Sequence, residues 1–108
     1  MEEKVDVLLA TYNGEKYLKE QIDSILNQTY QNINLIISDD NSNDSTRKIL
    51  EEYKKIDNRI KIYLQDKNLG YIKNFEFLLT KVESNYYMLS DQDDVWLPEI
   101  IEKSMKTL

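Results

Sequence analysis

Three carboxylates fall within four residues at Asp91-Gln92-Asp93-Asp94, directly after the apolar run Tyr86-Tyr87-Met88-Leu89. An apolar run ending in clustered acids is the pattern of a buried strand that delivers charge to a sheet edge. If the chain stays extended there, side chains alternate faces, so Asp91 and Asp93 point one way and Gln92 the other. Two carboxylates about 4 Å apart repel by roughly 1 to 4 kcal/mol, depending on the local dielectric. A divalent cation turns that repulsion into attraction, and hard oxygen ligands suit Mg2+ or Mn2+. An isolated D-x-D is more often a solvated acidic turn, so its surroundings decide what it means.

Those surroundings are other polar clusters, each following an apolar run. Thr11-Tyr12-Asn13 follows the first run, Asp39-Asp40 the second and Asp66 the third. The runs at residues 5–9, 33–37, 59–64 and 86–89 read as strands and alternate with four helical patterns. Leu18, Ile22, Ile25 and Leu26 stripe a helix over 15–28. Ile49, Leu50, Tyr53 and Ile56 stripe a second, with N-cap groups on offer from residues 41–45. Tyr71, Phe75, Leu78, Leu79 and Val82 stripe a third. Pro98 suits the first turn of a fourth, which carries Leu97, Ile101, Met105 and Leu108.

Strict strand–helix alternation implies an α/β domain with right-handed crossovers and a parallel sheet covered on both faces. The third run alternates polar and apolar (Ile60, Lys61, Ile62, Tyr63, Leu64), as an edge strand does; the other three are nearly continuous, as internal strands are. The order 3-2-1-4 meets these demands, except that the fourth strand becomes an edge while reading as internal. A missing neighbour would explain it: further sheet, or a second chain in a homodimer through the open edge. In a parallel sheet the carboxyl ends of all strands share one rim. Ligands bind there where the strand order reverses, between the first and fourth strands, so Asp40 and Asp93 flank one crevice. An acidic rim repels phosphate, so a nucleotide there needs a bridging cation. Asp40 could instead accept a hydrogen bond from a base or ribose without metal.

The bulk composition narrows the chemistry. The chain has 108 residues, enough for one modest domain spanning 1–108, with 41% apolar and 31% charged residues. A net charge of −6 disfavours nucleic acid and anionic lipid as partners. The chain contains neither cysteine nor histidine. That excludes disulfides and thiol nucleophiles, and it removes the usual zinc ligands and the commonest general base. Chemistry must run on carboxylates, hydroxyls, amides, Lys or Arg. No apolar stretch reaches bilayer length and no leader pattern is present, so a cytoplasmic setting is expected. Two glycines and one proline leave no linker or repeat to propose.

Three cofactor motifs fail. Residues 40–51 carry oxygen ligands at several positions of a calcium loop, but Ser45 stands where the loop needs glycine, and the segment follows a strand. A dinucleotide fingerprint and a phosphate-cradling P-loop both need more glycine after the first strand than Gly14 alone provides.

The blocks taken together resemble family 2 glycosyltransferases of the GT-A fold, a Rossmann-like three-layer αβα architecture. The likeness runs through Val7-Leu8-Leu9-Ala10-Thr11-Tyr12-Asn13, Ser24-Ile25-Leu26, Gln28-Thr29-Tyr30, and Ile36-Ile37-Ser38-Asp39-Asp40-Asn41-Ser42 with Asp44-Ser45-Thr46. It resumes at Asn68-Leu69-Gly70 and at Ser90-Asp91-Gln92-Asp93-Asp94-Val95-Trp96-Leu97-Pro98. The variants at 68–75 and 90–96 are most similar to bacterial rhamnosyltransferase-like members that build surface polysaccharide.

The resemblance implies that Thr11 and Tyr12 line a nucleotide pocket, Tyr12 against the base, and that Asp40 accepts the imide N–H of uracil or thymine. It implies Lys73 near the diphosphate, and Asp91 and Asp93 holding Mg2+ or Mn2+ against diphosphate and ribose, with Asp91 also touching the nucleotide. The donor is then a UDP- or dTDP-sugar, dTDP-rhamnose among them. The acceptor of a full enzyme is a saccharide or a lipid-linked saccharide, handled at the inner face of the membrane. In the family the base that deprotonates the acceptor lies well beyond the D-x-D, and this sequence ends about one helix past it. The chain therefore resembles the donor-binding part, and no catalytic residue is assigned in it.

Two other classes compete. One is a non-catalytic module that keeps the fold and pairs its open strand with a partner. The other is a phospho-receiver domain, which needs an acidic pair after the first strand and a lysine after a fifth, and neither is present.

Overall fold

The computed structural model describes residues 3–91 and 93–107. Gln92, expected to face away from the two aspartates, and Leu108, counted on the last helix stripe, lie outside them. The chain runs β1 (Val5–Thr11), α1 (Leu18–Leu26), β2 (Ile33–Asp39), α2 (Thr46–Ile56), β3 (Ile60–Leu64), α3 (Tyr71–Leu79), β4 (Tyr86–Ser90) and α4 (Ile100–Lys106). The strands form one parallel sheet in the order β3-β2-β1-β4, as the apolar runs predict.

The period-2 alternation of β1 and β2 divides the core between two faces. Val5, Val7 and Leu9 of β1 and Ile33, Leu35 and Ile37 of β2 pack with Leu18, Ile22, Ile25, Ile49, Leu50 and Ile101 from α1, α2 and α4. Leu8, Ala10 and Ile36 face the other way onto Phe75 and Leu78 of α3. One face thus carries three helices and the other a single one. Ile56, expected on the α2 stripe, is 77% exposed. It is the last helical residue of α2. The continuous apolar run of β4 proves exposed at Tyr86, Tyr87 and Leu89, because only β1 flanks it.

Helix ends deviate from the periodicity for local reasons. Gly14 O accepts from the amides of Tyr17 and Leu18, so regular helix begins at Leu18 rather than Glu15. At α2 the cap is supplied from one residue further out: Asp44 Oδ1 accepts Thr46 N–H at 2.9 Å, while Ser45 makes no side-chain cap. Two buried glutamines tie α1 to later chain. Gln21 Nε2 donates to Ser90 Oγ at 3.1 Å and to Asp91 O. Gln28 donates to Leu97 O and accepts from Ile101 N.

Asp6 is a charge inside the apolar run of β1, fully buried. Its carboxylate accepts from Glu83 N at 2.8 Å, Ser84 N at 3.1 Å, Ser84 Oγ at 2.8 Å and Asn34 Nδ2 at 3.0 Å. Burial pushes this acid up, but the four donors outweigh it and hold it below its ordinary value. A depressed folded value means that the stabilisation is complete at neutral pH. It is lost as the pH falls below the ordinary aspartate value of about 3.9 and through the lower folded one. Urea titrations from pH 7 to pH 3 should therefore show a loss of stability that is smaller in Asp6→Asn; identical pH slopes for the two proteins would contradict this.

Candidate functional site

The carboxyl ends of β1, β2 and β4 lie on one rim, and the loops that leave β1 and β2 bind one another. Asn13 N donates to Ser42 Oγ at 2.8 Å, Asn43 N to Asn13 Oδ1 at 2.9 Å, and Gly14 N to Thr46 Oγ1 at 3.0 Å. Among the described residues three non-glycine residues have positive φ: Asn13 at 47°, Asn41 at 60° and Asp93 at 73°. Each sits just past the end of β1, β2 or β4. Asn and Asp tolerate the left-handed region best, and residues held there gather at ligand sites.

Asp39 organises the rim. It closes β2 in register with Thr11, is 0% exposed, and accepts Thr11 Oγ1 at 2.7 Å, Ser42 N at 2.9 Å and Ser42 Oγ at 2.6 Å. Arg47 Nε completes the set at 2.8 Å. Asp40, one residue on, turns toward α3 instead. Its Oδ1 accepts Leu69 N at 2.5 Å, its Oδ2 accepts Gly70 N at 3.0 Å, and its carbonyl accepts Asn68 Nδ2 at 2.8 Å. Each carboxylate oxygen keeps a further lone pair for an incoming donor. Gly70 has φ 90°, and a Cβ there would meet nothing within 4 Å, so glycine is required for backbone conformation rather than for space.

These segments enclose a cavity of about 330 Å³ lined by Ala10, Thr11, Tyr12, Asp40, Asn68, Gly70, Tyr71 and Asn74. Thr11, Tyr12 and Asp40 thus come together as the sequence predicts. Tyr12 is 44% exposed, with ring surface available for stacking. The Thr11 hydroxyl proton is committed to Asp39. Asn74 is a wall residue the sequence reading does not single out: its Nδ2 donates to Ser38 O at 3.0 Å, and its buried Oδ1 has no partner among the described residues. The one signal for it was a polar residue beside the apolar stripe of α3. Lys73 is exposed on α3 and is not among the cavity-lining residues.

The D-x-D departs from its expected geometry. β4 ends at Ser90, Asp94 N donates to Asp91 O at 3.1 Å, and Asp93 is left-handed. The segment is a turn, so the alternation argument does not govern where Asp91 and Asp93 point. Where the ladder ends, Gln21 from α1 holds the Ser90 side chain and the Asp91 carbonyl. Asp91 reaches the cavity wall through Tyr71, whose hydroxyl donates to Asp91 Oδ1 at 2.6 Å. That bond, with the nearby charge of Asp94, pushes the Tyr71 phenol up.

As a cation site the donor set is partial. Among the described residues no three acidic side chains converge, and one Asp91 oxygen is already hydrogen-bonded. Mg2+ is commonly held by one or two carboxylates, with substrate phosphates and water filling its remaining positions. Such a donor set would need a phosphate ligand and water to complete the shell of a bound cation.

The sequence profile described as "Glycosyl transferase family 2" matches residues 6–108. The chain belongs to that family. It is 42% identical over 99 residues to a glycosyltransferase of Haemophilus influenzae, an alignment covering 92% of this chain and 31% of the relative. It is 33% identical to glycosyltransferase GlyA of Streptococcus pneumoniae, covering 92% of this chain and 14% of GlyA. Among solved structures, S. aureus TarS crystallised with UDP-GlcNAc superposes with a TM-score of 0.87 at 27% identity, over 95% of this chain and 30% of that one. The chain therefore spans less than a third of the length of each of these proteins. Its sheet and helices are those of GT-A glycosyltransferases. No helix among the described residues is long and apolar enough to cross a membrane.

Proposed function

We propose that residues 1–108 are the donor-nucleotide-binding domain of a family 2 glycosyltransferase. The observation that carries this reading is the cavity at the carboxyl rim, where an aromatic wall, Tyr12, and a buried carboxylate, Asp40, converge beside the entry of α3. The likeness to a TarS structure holding UDP-GlcNAc supports a nucleoside diphosphate sugar as the ligand class. Tyr12 packs on the base, and Asp40 accepts the imide N–H of uracil or thymine. Asp91 and Asp93 hold Mg2+ or Mn2+, with Asp91 also touching the nucleotide, and Lys73 serves the diphosphate from its exposed position. The cation supplies charge stabilisation for the departing diphosphate. The donor is a UDP- or dTDP-sugar, dTDP-rhamnose included. The acceptor is a saccharide or lipid-linked saccharide of a surface polysaccharide, met at the cytoplasmic side of the membrane. No residue of this chain is assigned as the catalytic base, so these 108 residues alone should show negligible transfer.

The test is calorimetric titration with UDP and ADP in the presence of Mn2+. Adenine offers Asp40 a ring acceptor where uracil offers a donor, so UDP should bind at least roughly tenfold more tightly. Equal affinities, or no UDP binding, would refute the reading. The exposed tyrosines and Leu89 of β4 favour one alternative, a non-catalytic module that pairs this edge with a second copy. A stable dimer by light scattering together with no nucleotide affinity would identify it.

A further inference from the structure

The cavity and the acidic turn after β4 are joined by one side chain. Tyr71 opens α3, lines the cavity, and donates its hydroxyl to Asp91 Oδ1 at 2.6 Å. The residue is 63% exposed, so burial does not account for its position. Two contacts do. Asp40 fixes the amides of Leu69 and Gly70, immediately before Tyr71, and Phe75, one turn on, meets the ring edge-to-face at 5.1 Å. The phenol is thereby held from below by a backbone anchored on Asp40 and from the side by a core aromatic. The carboxylate it holds has little other restraint: Asp91 lies past the end of β4 in a turn whose known ties, from Gln21 and Asp94, are to its carbonyl.

We infer that Tyr71 is a positioning residue for Asp91: its hydroxyl takes one carboxylate oxygen and leaves the other oriented for a divalent cation that bridges to a nucleoside diphosphate. The inference rests on the nucleotide-binding reading above. A carboxylate free to rotate must lose that freedom when it binds a cation; one already held by a phenol has lost it beforehand. Hydrogen-bonding partners of ligating carboxylates typically contribute about 10- to 100-fold to metal affinity.

Tyr71→Phe keeps the ring and its contact with Phe75 and deletes only the donor. UDP is titrated into wild type and Tyr71→Phe, each with Mn2+ and with EDTA, alone and combined with Asp91→Asn. Wild type should bind UDP more tightly with Mn2+ than with EDTA. Tyr71→Phe should lose roughly tenfold of that enhancement and keep its midpoint of thermal unfolding. In the Asp91→Asn background the same change should have no effect on the enhancement, because Tyr71 acts through that carboxylate. An unchanged or larger Mn2+ enhancement in Tyr71→Phe overturns the inference while leaving the nucleotide reading intact. A wild type that does not bind UDP overturns both, and one that binds it without any response to Mn2+ overturns the inference and the metal part of that reading.

Discussion

Asp39→Ala should cost the chain about 4 kcal/mol of folding free energy, a loss large enough to unfold much of the population at physiological temperature. The carboxylate is fully buried and accepts four hydrogen bonds, from Thr11, Ser42 twice and Arg47. Alanine leaves the Ser42 amide and the Thr11 hydroxyl facing a gap without an acceptor, each costing about 1 to 3 kcal/mol. The Arg47 contribution is smaller, because its side chain is 31% exposed and can turn to water. Asp39→Asn keeps one carbonyl acceptor and should cost about half as much. Urea unfolding monitored by far-UV circular dichroism measures both. A change below about 1 kcal/mol for alanine would mean that the rim loops are held elsewhere, by the Asn13–Asn43 and Gly14–Thr46 bonds.

Adjacent aspartates 39 and 40 show how far the sequence could be read. That both lie at the end of the second strand follows from the apolar run before them, and the strand order follows from which runs alternate. Their division of labour does not, since it depends on what each meets across the rim. Asp39 meets Thr11 in the neighbouring strand and an arginine from α2; Asp40 meets backbone amides before α3. These partners are eight to thirty residues away along the chain and fall in no common periodicity.

Polar residues on apolar stripes were the signal available for other parts. Asp6 in β1, Gln21 one turn into α1 and Gln28 just past its end break their patterns, and each proves buried with several partners. A buried polar group without partners is too costly to keep, so such interruptions mark cross-links before any coordinates are known. The turn at Asp91 was hidden for the opposite reason. Nothing in the run before it announces that the ladder stops at Ser90, where the Ser90 side chain and the Asp91 carbonyl meet Gln21, some seventy residues earlier.

Asp93→Asn should remove most of the Mn2+-dependent gain in UDP affinity, on the order of 100-fold, while leaving stability within about 0.5 kcal/mol of wild type. Losing an outer partner of a metal ligand costs about 10- to 100-fold, and losing a ligand itself belongs at the upper end of that range. The backbone makes this substitution clean. Asp93 has φ 73°, a conformation that asparagine adopts as readily as aspartate and that other side chains resist. The change therefore deletes charge without straining the turn, and Asp93 is exposed, so no packing is lost. Calorimetry with UDP in Mn2+ and in EDTA separates the outcomes. If the cation sits between Asp91, Asp93 and the diphosphate, the two titrations converge in the variant, because Asp91 alone no longer holds the cation that offsets the charge of the phosphates. If Asp93→Asn still binds UDP far more tightly with Mn2+, the cation draws its charge from elsewhere on the rim, and the pairing of these two aspartates is wrong.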